Sequence, residues 1–385
     1  MLFRSLTVVL FSIIIISLGS CTEPREMVQS TSSSFVLEPA GADTFLLDSI
    51  TRVGRSDFYY HRYGHEEYLV VHNSHAFRQV EVYDYKTKKK VNRIILEREG
   101  PDGLGAWPSG LYMHTPDSVF LFFNLGQRLV LVNGQGKIIA NYGSIRPADA
   151  GTSAPYMEVS AIQPVFKYGP RLFFCTYEPT HQHTVSGAVF NLHARTTVYP
   201  FGLPPVYQSG WWAGIVYDRY FQTYNPDEKL IVQAYGNDHS IYVIDVESDE
   251  KNPYRAKSRY LNEQLKPFSK TRGDFITEEQ RLYRHAALQG SYSAIKYDAW
   301  RKVYYRFVCR PVTPESYRTP SDTWSRMSVI ILDNRFRYTG ETDIPEDLNW
   351  YQSVVTPNGL CFFSKKAYAE SEDQMVLVNF RLKSQ

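Results

Sequence analysis

The 385-residue chain has only four cysteines, and they form neither a CxxC pair nor any Cys/His spacing of the kind that holds zinc. A dominant charge is also missing. The 42 Lys and Arg residues stand against 40 Asp and Glu, so no strong field draws the chain to nucleic acid or to an anionic surface. There is no HExxH, no GxSxG elbow, no P-loop and no EF-hand loop. Gly134-Gln135-Gly136-Lys137 has the wrong glycine spacing for a phosphate loop and reads as a hairpin turn. Amphipathic helical patterns are scarce, the exception being a short stretch around Phe275 to Leu288. Together these absences remove the common signatures of metalloproteases, hydrolases and nucleotide-binding enzymes, and they argue against a helical fold.

One long apolar run is present, at the N-terminus. Arg4 precedes Leu6 to Leu18, which is almost wholly apolar but shorter than the ~20 residues of a membrane span. It fits the core of a cleaved secretory signal. Leu18-Gly19-Ser20-Cys21 follows and resembles the lipobox of bacterial lipoproteins, in which the cysteine is acylated and the chain is cut just before it. Each buried acyl methylene contributes ~0.8 kcal/mol, so several acyl chains hold a protein at a bilayer almost indefinitely. The expected organisation is a signal peptide over 1–20, a polar Ser-rich tether over 21–34 and a single domain over 35–385. Thr22 in place of Asp after the cysteine, by resemblance to bacterial sorting rules, implies the outer membrane of the cell envelope. Either its periplasmic or its surface face is open.

Aromatic residues are plentiful, at 15% with 29 Tyr and 22 Phe, which favours β structure. Cys175, Cys309 and Cys361 sit in the apolar runs FFCTY, RFVCR and GLCFF and read as buried free thiols. Short strand-like runs recur in a fixed order. An apolar strand returns as YLVVH at Tyr68, SVFLFF at Ser118, RLFFCTY at Arg171, KLIVQAY at Lys229, KVYYRFV at Lys302 and GLCFFSK at Gly359. A third strand ending in a charged or Gly-containing turn follows at Gln79, Arg128, Ser240, Ser328 and Met375. Copies at a spacing of roughly 50 to 70 residues match the blades of a propeller. The expectation is an all-β fold, a six-bladed β-propeller of TolB-like or NHL-like arrangement. Its last copy lacks a fourth strand, which Phe35 to Leu37 or Thr44 to Leu47 would supply to latch the ring. A large β-sandwich or two smaller β domains would share the same strand content.

The run Glu99-Gly100-Pro101-Asp102-Gly103-Leu104-Gly105, with PDSVFLF and LVLVNGQGKII after it, resembles six-bladed propeller lipoproteins common in Bacteroidetes. The phrase YSAIKYDAWRKVYYRF, Tyr292 to Phe307, resembles the subgroup known only as domain of unknown function 4221. The resemblance covers nearly the whole mature chain. It rests on turn and strand phrases, so it implies fold and location and lends no catalytic residues.

Candidate sites are few. Trp211 and Trp212, with Tyr207 and Tyr217 close by, offer aromatic faces with polar rims that suit a sugar or apolar ligand. The same rings would serve equally to fill gaps between blades. His61, His65, His72 and His75 cluster in sequence, but strand alternation separates His72 from His75, and no zinc spacing is present. His181 and His183 fall in a polar loop. No metal site and no cofactor is therefore expected. An insertion near 249–289 carries Arg272, Asp274, Glu278, Glu279, Arg281 and Arg284, with Glu278–Arg281 and Arg281–His285 at helical spacing. Lys86 to Lys90 reads as a solvated hairpin tip.

The leading functional expectation is a binding or interaction module, tethered to the membrane by lipid, that holds a protein, peptide or glycan. The alternative is an extracytoplasmic hydrolase, lactonase or lyase with its site on the ring axis. Converging His, Asp or Glu around the axis, or a bound metal, would favour the enzyme; an axis lined by aromatics and neutral polar groups, or plugged, would favour binding.

Overall fold

The recurring strand phrases fold into six antiparallel sheets, arranged as a six-bladed β-propeller. In the computed structural model, residues 34–73, 79–147, 155–177, 185–212, 217, 219–271, 273 and 275–385 are described. Among the described residues the strand β1 (Phe35–Leu46) comes first. Blade one holds β2 (Asp57–Tyr63), β3 (Glu66–His72), β4 (Gln79–Asp84) and β5 (Lys90–Ile95). Blade two holds β6 (Gly110–Thr115), β7 (Ser118–Phe123), β8 (Arg128–Val132) and β9 (Ile138–Ser144). In blade three, β10 (Tyr156–Glu158) and β11 (Phe166–Tyr168) share one partner, β12 (Arg171–Tyr177), followed by β13 (Ala188–Asn191) and β14 (Thr196–Val198). Blade four runs β15 (Tyr220–Asn225), β16 (Leu230–Tyr235), β17 (Ser240–Asp245) and β18 (Lys251–Arg255). Blade five runs β19 (Ser291–Asp298), β20 (Val303–Cys309), β21 (Met327–Asp333) and β22 (Tyr338–Ile344). Blade six holds β23 (Leu348–Thr356), β24 (Gly359–Ser364) and β25 (Gln374–Ser384), and β1 completes it.

Local chemistry marks each blade. The turn after the third strand begins with Asp84, Asn133, Asn191, Asp245 or Asp333 in blades one to five. In each, the side-chain oxygen accepts a backbone N–H two or three residues on. This Asx turn reverses the chain without help from distant residues. A residue of positive φ closes each turn: Lys88, Gly136, Arg195, Asp249 and Phe336. Gly134 to Lys137 is thus the hairpin turn that its sequence suggests.

Apolar faces then stack from blade to blade. One buried cluster joins blades one and two through Val82, Ile94, Leu111 and Leu121, and another joins blades two and three through Phe122, Leu129, Leu172 and Phe174. Cys175, Cys309 and Cys361 are buried and free within such layers. The expected N-terminal fragments are one continuous strand. Phe35 pairs with Ser384 and Leu46 with Gln374, across a bulge between Pro39 and Ala42. Close approach requires glycine where β1 passes blade five, because a Cβ on Gly340 would lie 2.0 Å from the Phe35 carbonyl oxygen.

Two expectations change. The Lys86–Lys90 hairpin is not simply solvated. Lys88 Nζ lies 2.7 Å from Asp43 on β1, and Lys90 Nζ lies 2.9 Å from the buried Glu81. The insertion also begins later than 249, since Lys251–Arg255 is the fourth strand of blade four. Its helix, α1 (Phe275–Gln289), turns Leu282, Ala286 and Ala287 inward. Glu278 pairs with Arg281 at 2.6 Å, whereas His285 Nε2 meets the Lys266 carbonyl at 3.0 Å rather than Arg281. No helix among the described residues is long and apolar enough to cross a membrane.

Candidate functional site

The inner strands β2, β6, β15, β19 and β23 line the ring axis, and the third blade breaks the pattern. Its inner strand is split into β10 and β11. Between them, Ser160 and Gln163 bond to each other's backbone at 3.2 and 3.1 Å and form a tight turn. Proline at 164 cannot donate a ladder hydrogen bond, which is one local reason the strand stops there. Val159, Ala161, Ile162 and Gln163 are all buried. The turn reaches across the axis to three other blades. Ala161 N donates to Asp57 Oδ1 of blade one at 3.4 Å, and the Ala161 carbonyl accepts from Lys296 Nζ of blade five at 3.4 Å. Gln163 Nε2 donates to the Tyr220 carbonyl at 3.2 Å, and Gln222 Nε2 to the Pro164 carbonyl at 2.9 Å, both in blade four. The axis is plugged.

Ionisable groups around the plug are linked to one another. Asp57 accepts from Tyr59 Oη at 3.4 Å and lies beside Tyr351. Burial and the Asp57 charge push both phenols far above their usual range. Burial pulls the Lys296 ammonium down to about 8, and nearby Asp57 partly offsets that.

The plug leaves two separate mouths. The upper one, at the starts of the inner strands, is a bowl of about 380 Å3 lined by Asp57, Trp107, Glu158, Gln163, Arg219 and Tyr351. A recess of about 210 Å3 continues from Arg219 and Tyr351 to Trp324 and Trp350. Trp107 is 40% exposed, and Trp324 and Trp350 are half-buried. Tyr283 of α1 packs edge-on to Trp324 with ring centres 5.8 Å apart, so the insertion braces one wall of the recess. Glu158 Oε2 is shut from water and has no hydrogen-bond partner. Such an arrangement can accept and donate hydrogen bonds to a polar ligand while indole faces cover its apolar side.

The aromatic group named from sequence lies elsewhere. Trp211, Trp212 and Tyr217 are buried and Tyr207 is half-buried. Trp212 Nε1 donates to the Val206 carbonyl at 3.0 Å, and Tyr207 Oη to the Tyr217 carbonyl at 2.7 Å. Trp211 packs edge-on to Phe268, and Tyr217 to His285 of α1. These rings join the insertion to blades four and five. His61 lies on the axis at the lower mouth, His65 is exposed in the β2–β3 turn and His72 is buried. Cys21, His75, His181, His183, Arg272 and Asp274 lie outside the described residues. Among the described residues, no three His, Cys, Asp or Glu side chains are grouped to hold a metal. The upper bowl escaped sequence reasoning because its members come from five blades. The available signal was the over-long inner segment of blade three, with Pro164 inside it.

Comparison with solved structures agrees with this architecture. A member of the DUF4221 family from Bacteroides vulgatus superposes with a TM-score of 0.77 at 22% identity, covering 92% of this chain and 99% of the other. A candidate exported protein from Bacteroides fragilis superposes with a TM-score of 0.58 at 10% identity, covering 93% and 98%. No curated protein matches the chain. The model of the domain of unknown function DUF4221 matches residues 35–343, and the chain therefore belongs to that family.

Proposed function

We propose that this protein is an exported, lipid-anchored binding module that takes a saccharide in its upper bowl. The plug is the observation that carries this reading. It closes the axis, bonds Asp57 to Ala161 and Tyr59 and sets the Asp57 charge near Lys296, and the bowl's other carboxylate, Glu158, keeps one oxygen shut from water. Two-carboxylate hydrolysis of a glycoside needs both groups available. One carboxylate, one guanidinium and flanking indoles supply what recognition needs: directional hydrogen bonds and flat apolar cover.

Purified protein on a glycan array is expected to retain one class of sugar. Arg219→Ala and Trp350→Ala should each weaken that binding about tenfold, the cost of a lost charged hydrogen bond or ring contact. No retained glycan, or retention indifferent to both changes, would overturn the proposal.

The lipid anchor at Cys21 and an outer-membrane location form the second half of the reading, supported by the apolar run and the residues around that cysteine. Cys21→Ala is expected to move the protein from the membrane fraction to the soluble one and to abolish labelling by an acyl probe. A variant that stays with the membrane would place the attachment elsewhere.

A further inference from the structure

Below the plug the ring opens again, at the ends of the inner strands, into a cavity of about 440 Å3. Its chemistry is opposite to that of the upper bowl. Arg62 from β2 and Lys167 from β11 line it, with the imidazoles of His61 on β2 and His114 on β6, and no Asp or Glu is among its lining residues. Aromatic rings fill the rest of the wall. Tyr112 stacks on His114 with ring centres 6.2 Å apart and planes 27° from parallel, and Phe166 faces Tyr224 at 5.5 Å and 36°. His61 Nε2 is shut from water and has no hydrogen-bond partner.

Two cations with no carboxylate on the cavity wall itself, beside ring faces, suit a ligand that is anionic at one end and flat at the other. We propose that the lower mouth is a second ligand site, for a small anion carried on a planar ring, such as an aryl phosphate or aryl carboxylate. It goes beyond the saccharide reading and does not depend on it.

The imidazoles add a coupling. Burial lowers His61 to about 4, with His114 contributing, and burial then Lys167 lower His114. The other charged groups near the pair are Arg62 and Glu67, which stands opposite Arg62 on β3 and beside Tyr60. An anion in the cavity stabilises the protonated imidazoles, so binding takes up protons and tightens as pH falls.

Calorimetric titration of the full-length protein with phenyl phosphate, inorganic phosphate and phenol tests the site. Phenyl phosphate should bind at least tenfold more tightly than either half-molecule, and benzenesulfonate, whose own charge does not change with pH, should bind more tightly at pH 5 than at pH 8. Arg62→Ala and Lys167→Ala, at exposed and half-buried positions, should each weaken it about tenfold. His114→Gln should flatten the pH dependence, and Arg219→Ala in the upper bowl should change nothing. Equal affinity for phosphate and phenyl phosphate would overturn the proposal, as would indifference to Arg62 and Lys167. A loss caused by Arg219→Ala would move the ligand to the upper bowl and overturn it too.

Discussion

Replacing Arg306 with methionine is expected to destabilise the propeller by about 3–5 kcal/mol, the usual cost of stripping one member from a buried charged network. Arg306 is fully buried on β20. Its Nη1 donates to the carbonyls of His239 and Ala256, each at 2.8 Å. Its Nη2 donates to the carbonyls of Tyr235 and Asp238 in the turn of blade four. The guanidinium also lies over the Tyr292 ring, 3.4 Å from its centre. One planar fork thus holds the β16–β17 turn against blade five, and methionine would remove the side-chain donor from all four carbonyls, of which His239 keeps only its backbone partner Ala256. Lysine should not rescue it, because a single ammonium cannot reach both ends of the cage. The check is the urea midpoint at an unchanged slope. A wild-type midpoint for Arg306→Met would mean that the cage contributes nothing.

The same pocket has a pH signature. His239 donates or accepts at Nδ1 with Tyr292 Oη, 2.7 Å away, and burial followed by the Arg306 charge lowers it to about 4. The unfolded chain therefore binds a proton below about 6.5 that the folded chain refuses until about 4. Stability from this histidine is full above pH 6.5 and is lost as pH falls through that window, on the order of 3 kcal/mol at most. Removing Arg306 raises the folded value, so the variant should lose less stability across the same window than the parent does.

Removing β1 should have the larger effect, loss of the native ring. β1 buries Leu37 and Phe45 and covers the edge of β25 along its length. Phe45 alone meets Tyr83 and Tyr85 edge-on or tilted, at 5.6 and 6.0 Å, and its truncation to alanine should cost about 3–5 kcal/mol. Asp43 adds a polar clasp. Tyr85 Oη, Lys88 Nζ, Asn358 Nδ2 and Asn379 Nδ2 all converge on its carboxylate, from blades one and six. Burial alone would raise its pKa, but Lys88 and the other donors hold it below the ordinary value. A chain starting at Asp48 is expected to aggregate through the bared β25 edge. A peptide of residues 35–46 supplied in trans should restore solubility by adding back the strand. A truncated protein that stays monomeric with a wild-type melting profile would show that the latch is dispensable.

Much of the fold was legible because it is written in short-range chemistry. Each second strand is an apolar run with turn residues at its ends, and in blades one to five the third strand ends in an Asx turn within a few residues. Six such phrases imply six blades before any contact between them is known. The third strand of blade three, Ala188–Asn191, was missed because only four residues of it are paired. The missing fourth strand of blade six was likewise legible from the broken count.

Function was less legible, for a physical reason. The plug depends on Ala161 meeting Asp57 and Lys296, residues 104 and 135 positions away, and the latch on Asp43 meeting Asn358 and Asn379 across more than 300. Spacing and periodicity carry no information about such pairs. The aromatic cluster at Trp211 and Trp212 illustrates the limit: sequence shows that rings are close, and only packing shows whether their faces are covered. By itself the sequence determined where the strands recur, where they turn and that six copies are present, because those follow from local dihedral preference and alternation. The tertiary structure alone decided that the axis is closed and that its two mouths differ in charge, because both come from side chains that only ring closure brings together.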